Sequence, residues 1–172
     1  APTTVYDSKD NGNDYGDDIN VRPYMTNWLA GGSCYVPTIE GKKVPIELSL
    51  AVHSDAGYDK IGNDIIGSLA VCTTNFNEGR LNSGVSRMSS YDFAKTLLDG
   101  FDRDLGDFAG KWSRRYLWDK NYSETRNPEV PSAIIETLSH QSFPDMKLGQ
   151  NPNFRFCMAR SLYKSIVRYI NN

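Results

Sequence analysis

Proton transfer and metal binding at neutral pH fall mainly to histidines and perturbed carboxylates, and in this 172-residue chain both stand out by position. Only two histidines occur, His53 and His140. His53 closes the apolar run IELSLAVH, and a small polar turn of Ser54, Asp55, Ala56 and Gly57 follows it. Its imidazole is then either a structural hydrogen-bonding group or, opening onto a cleft, a neutral nitrogen ligand of the kind zinc takes. His140 lies in LSHQSFPDM, which reads as a loop where an imidazole would cap a turn. Glu136 is the third anomaly, a carboxylate inside PSAIIETL. It must point to solvent from a sheet edge or be buried with a partner, because burying it unpaired is costly or raises its pKa. A raised pKa suits a carboxyl that exchanges protons beside a metal-bound water.

The elements that must position these groups are legible from periodicity. Residues 46–53, bounded by Pro45 and the polar turn, read as a buried strand ending at His53. Residues 65–73, IIGSLAVCT, read as a second strand, with Gly67 marking a bulge or a close backbone approach. Residues 130–138, VPSAIIETL, read as a third, with Glu136 near its C-terminal end. Ser89 to Asp92 are suited to capping a helix, and Phe93, Ala94, Leu97, Leu98, Phe101 and Leu105 then recur at helical spacing. Asn151-Pro152 starts a last helix, whose expected inward stripe is Ala159, Leu162, Tyr163, Ile166, Val167 and Ile170. Residues 1–45 read as an irregular lead-in with one short helix near Tyr24, Trp28 and Leu29. Apolar strands alternating with amphipathic helices predict an α/β fold of three layers, a mostly parallel sheet flanked by helices, in a single domain spanning 1–172. Ligands of such sheets sit beyond the carboxyl ends of strands, where His53 and Glu136 both fall.

Composition narrows the partners. A formal charge of -2, with cations scattered among acids, provides no basic stripe for phosphates, so nucleic acid is not an expected partner. No apolar run is long enough to span a bilayer. Cys34, Cys72 and Cys157 lack metal-ligand spacing and read as thiols, with one disulfide left open.

Two segments carry a family resemblance. SLAVHSDAG, with His53, resembles the strand and turn of zinc-dependent N-acetylmuramoyl-L-alanine amidases that ends in a metal-binding histidine. Val130 to Glu136, VPSAIIE, resembles the strand in which a Val-Pro start leads to their catalytic glutamate, and residues 154–170 resemble their closing helix. The resemblance implies a Zn2+ site with His53 as a ligand and Glu136 as general acid and base. The reaction it implies is hydrolysis of the amide between N-acetylmuramic acid and L-alanine in peptidoglycan, outside the cytoplasm. These amidases also use a histidine in a Gly-His-Gly turn and a glutamate, both ahead of the segment matching His53. Here no histidine precedes His53, and Glu40 and Glu47 sit in other contexts, so further zinc ligands are expected outside this segment and the domain is expected to lack its N-terminal part.

The stretch WSRRYLWDKNYSETR, residues 112–126, resembles part of related Bacteroidetes chains, some labelled xanthan lyase. A lyase would pair a base with a cation that neutralises a uronate, for which Tyr122 with Arg115 or Arg126 would serve. The same segment suits a glycan-binding surface, with Tyr116, Trp118 and Tyr122 among Arg114, Arg115 and Arg126. Asp55, Arg115, Tyr122 and Arg126 are therefore the candidate substrate-binding residues, and a wall glycan is the expected partner.

Overall fold

The computed structural model describes residues 1–56, 64–109 and 112–172. Gly57, expected in the turn after His53, lies outside the described residues. In chain order the elements are α1 (Thr3–Tyr6), α2 (Asp14–Ala30), β1 (Ser49–Asp55), β2 (Ser68–Cys72), α3 (Met88–Ala109), β3 (Arg114–Asp119), α4 (Ser123–Arg126), β4 (Ser132–Ser139), α5 (Phe143–Gly149) and α6 (Pro152–Ile170). They form two compact units interleaved along the chain, one of residues 1–50, 72–91 and 119–133, the other of 51–71, 92–118 and 134–172.

The α/β class is as expected, and the sheet has four strands in the order β1-β4-β2-β3. It is mixed. β2 runs antiparallel to β4, with Leu69 opposite Glu136, Ala70 opposite Ile135 and Val71 opposite Ile134. The outer pairs rise together: Ser49 N–H donates to Pro131 O and His140 N–H to Asp55 O, while Ser68 N–H donates to Ser113 O and Lys120 N–H to Cys72 O. All three expected strands are present within a few residues of their expected bounds. Those in the middle of the sheet are apolar runs because both faces are covered: all of β2 is buried, and all of β4 except the half-buried Glu136. Edge strand β3 was not anticipated; its alternation of half-buried and exposed residues is weak beside its charges and aromatic rings.

In the second unit, the expected stripe of α3 is fully buried from Phe93 to Leu105. Trp112 donates from Nε1 to Ser68 Oγ at 3.0 Å and meets the ring of Phe154 at 5.0 Å, which seats α6 on the sheet face that Ser68 lines. The inward stripe of α6 differs from the expected one. Phe154, Met158, Ser161 and Ser165 are buried, whereas Ala159, Tyr163, Val167 and Ile170 are exposed and Leu162 and Ile166 half-buried. The reason is steric, since Gly100 of α3 lies so close to Ser165 that a Cβ there would meet its Oγ at 2.1 Å. Small serines, not the bulkier Val167 or Tyr163, fit that approach. Gly67 is at φ +79°, and an added Cβ would lie 1.9 Å from Ser113 O, so the close approach expected there is present.

In the first unit, the expected irregular lead-in is corrected by α2, a helix of 17 residues. Its acids, Gly16 and buried Pro23 give it poor intrinsic propensity, which hid it. Capping and long-range bonds sustain it: Asn13 Oδ1 accepts from Gly16 N–H at 2.8 Å, and Asn27 donates to Asn127 O and accepts from Glu129 N–H at 2.8 and 2.9 Å.

Candidate functional site

The candidate site is built on one face of the second unit's sheet. Ala51 packs against Leu69, Val71 and Ile134, and side chains two apart on a strand share a face. His53 and Asp55 of β1 therefore stand on the face that carries Glu136 of β4. Thr137, pointing the other way, donates to His53 O at 2.8 Å and pins the two strands together at this level.

Glu136 is half-buried, and its Oε2 is buried with no hydrogen-bond partner among the described residues. Burial is the largest influence on the carboxyl and pushes it above the ordinary carboxylate range; His53 pulls it down, Asp55 pushes it further up, and Arg115 and His140 pull it down. The outward-facing alternative is therefore not what the chain adopts. Four ionisable side chains, His53, Asp55, Arg115 and His140, thus bear on the Glu136 carboxyl.

Arg115 of β3 donates to Asp55 at 2.5 Å, with 11% and 17% of the two side chains exposed, and to the Tyr116 hydroxyl at 3.2 Å. Burial works against the guanidinium's charge, but these bonds outweigh it and raise its pKa. His140 carries a second tie: its Nδ1 lies 3.0 Å from Ser54 Oγ while its N–H bonds Asp55 O at 3.1 Å, so it clamps the ends of β1 and β4. The ring of His140 thus ties to Ser54 of β1, at the rim of the site, in place of the local turn-capping expected of it.

Asp145 was not anticipated. It is fully buried, and its carboxylate accepts from the N–H groups of Ile66, Gly67 and Ser139 at 2.8, 3.0 and 2.9 Å and from Ser142 Oγ at 3.2 Å. One side chain thus ties the start of β2, the end of β4 and the first turn of α5. The signal was in the sequence: Ser142-Phe143-Pro144-Asp145 is a helix start with a capping serine and an early proline. Reading the segment as a loop concealed it.

Tyr122 and Arg126 belong to the first unit. Tyr122 is exposed; Arg126 donates to Asn121 and Asn127 at 2.8 and 3.1 Å and lies over the Phe76 ring at 5.8 Å. On β3, Tyr116 and Trp118 are exposed with ring centroids 4.8 Å apart. Cys72 is buried, Cys157 half-buried and Cys34 exposed, all as free thiols.

Among the described residues no group of three or more His, Cys, Asp or Glu side chains is arranged to hold a metal ion. His53 offers one nitrogen, and the Asp55 carboxylate is engaged by Arg115. A catalytic zinc takes three protein ligands, so these residues alone do not fit one.

No family model matches this sequence, and no curated protein does. Solved structures do. The CwlD amidase of Clostridioides difficile, solved in complex with the GerS lipoprotein, superposes with a TM-score of 0.64 at 12% identity, over 96% of this chain and 70% of that one. An N-acetylmuramoyl-L-alanine amidase from Clostridium difficile 630 gives 0.58 at 14%, over 91% and 84%. Amidase AmiC2 of Nostoc punctiforme gives 0.58 at 12%, over the same shares of 91% and 84%. The fold is that of these amidases. At such identities the likeness is one of fold, with the mixed sheet and flanking helices held in common.

Proposed function

We infer that this chain belongs to a peptidoglycan hydrolase that cleaves the amide between N-acetylmuramic acid and L-alanine, and that it acts outside the cytoplasm. The observation that carries the reading is the half-buried Glu136 carboxyl, whose Oε2 has no partner among the described residues, standing with His53 on one face of an amidase fold. A carboxyl whose pKa is raised holds a proton closer to neutrality and both takes and returns it readily. In the proposed reaction Glu136 accepts the proton of the attacking water and delivers it to the departing amide nitrogen. Arg115, held in place by Asp55, offers its remaining guanidinium N–H groups as donors to polar groups of the wall peptide.

Zinc is the metal we propose, with His53 as one nitrogen ligand and the remaining ligands from outside the described residues. Metal analysis of the full gene product tests this, together with mass analysis of peptidoglycan incubated with it. Release of peptides beginning at L-alanine is expected, with zinc retained but turnover lowered about 100-fold or more in Glu136→Gln, and both zinc and turnover lost in His53→Ala. Zinc-free protein that releases no peptide defeats the proposal. Unsaturated sugars absorbing in the ultraviolet would reveal a lyase instead. The exposed Tyr116–Trp118 pair favours one second reading, a glycan-binding module, which would retain wall material without cutting it.

A further inference from the structure

The solvent side of α6 is apolar where a surface helix is ordinarily polar. Phe156, Tyr163, Val167 and Ile170 are 69%, 69%, 39% and 54% exposed, and Ala159 is exposed among them. At 100° per residue these five fall on one line opposite the buried Phe154, Met158, Ser161 and Ser165, and the line runs about 21 Å. Single exposed apolar side chains are ordinary, but a continuous line of them marks a contact surface. Arg160, Lys164 and Arg168 stand along one flank at i, i+4 and i+8, Arg155 stands on the other, and α6 contains no acidic residue. Lys164 shares its charge with Asp104 at 2.9 Å, and Arg155 donates to Gly149 and Gln150 carbonyls at 3.0 and 2.9 Å. Arg160 and Arg168 are exposed.

We propose that the outer face of α6 is a docking surface for an anionic lipid bilayer, on which the helix lies flat with Phe156, Tyr163, Val167 and Ile170 among the headgroups and upper acyl chains. The charge pattern selects this occupant. A second copy paired antiparallel through the same stripe sets the cation row against itself, and one paired parallel offers the row no acid. An anionic surface receives the apolar stripe and the cations together, as amphipathic basic helices at membrane interfaces do. No helix among the described residues is long and apolar enough to cross a membrane. This inference is independent of the amide-hydrolysis reading.

Flotation of the intact protein with vesicles of phosphatidylcholine, with and without phosphatidylglycerol, tests it. Binding to the phosphatidylglycerol vesicles is expected, weakening as salt is raised, with little binding to phosphatidylcholine alone. Each cation removed should weaken binding about fivefold, so Arg160→Gln with Arg168→Gln should weaken it about 25-fold. Phe156→Ser with Val167→Ser should abolish it while leaving the melting curve and circular dichroism unchanged; Ile170→Ser, in the last turn, gives a second reading if that pair disturbs the fold. Absence of binding to anionic vesicles overturns the proposal. So does binding that survives the serine variants, which would be adsorption by charge alone, and so does a lipid-free dimer that those variants dissociate.

Discussion

If Glu136 is kept for chemistry at the expense of stability, replacing it with its neutral isostere should make the fold more stable. In Glu136→Gln the shape is retained and the buried charge removed. The amide still leaves a polar atom there without a partner, so the substitution relieves only what the charge adds, about 1–1.5 kcal/mol on the margin by which bonds to charged groups exceed those between neutral ones. Because the residue is only half-buried and His53, Arg115 and His140 attract the ionised form, the lower end applies. The variant should therefore gain about 1 kcal/mol at pH 7, which for a chain of this size is about 2–4 °C in Tm. The sign with pH follows from the direction of the shift. A carboxyl raised in the folded state binds more protons there than in the unfolded chain, so wild-type stability falls as pH rises from the ordinary carboxyl value near 4.5 through the raised one. Below that window Glu136 is neutral in both states and the advantage of the variant should shrink toward zero. Urea unfolding of both proteins between acid and neutral pH reads the difference directly. A variant that is no more stable at pH 7, or whose advantage grows toward acid, refutes the reasoning.

Other changes should act through geometry. Asp145→Asn puts an NH2 group against backbone donors and loses about two charge-assisted bonds, roughly 3–6 kcal/mol, visible as a drop in the urea midpoint; a loss under about 1 kcal/mol would show that Asp145 does not hold the strand ends. Gly67→Ala forces a Cβ into Ser113 O at positive φ and should cost roughly 3–5 kcal/mol in the same assay, whereas Gly84→Ala, with open space around it, should cost less. The Cys72 thiol, pushed up to about 12 chiefly by burial, should resist a thiol reagent at pH 8 until the chain unfolds, while exposed Cys34 should react at once; equal rates would contradict the burial of β2.

Much of the frame was determined by the sequence alone. The strand runs that carry His53 and Glu136 and the α3 stripe are local patterns of period 2 or 3.6, readable because each residue's face follows from its neighbours on the same element, although β1 continues to Asp55 and β4 to Ser139. The terminal helix was equally clear in extent, since Asn151-Pro152 caps it. Its orientation was not. Which stripe of α6 turns inward depends on Gly100, some sixty positions earlier, admitting Ser161 and Ser165 and leaving the larger apolar side chains in solvent. The same holds for the sheet. Its order β1-β4-β2-β3, and the antiparallel register that sets Leu69 opposite Glu136, arise from long-range pairing with no local signature. Arg115 reaches Asp55, and Arg126 instead packs on Phe76, through that same tertiary arrangement. Residue types named the candidates for chemistry; only the folded chain decided which of them share a face, because burial, unpaired oxygens and shifted pKa values exist only once distant segments exclude water together.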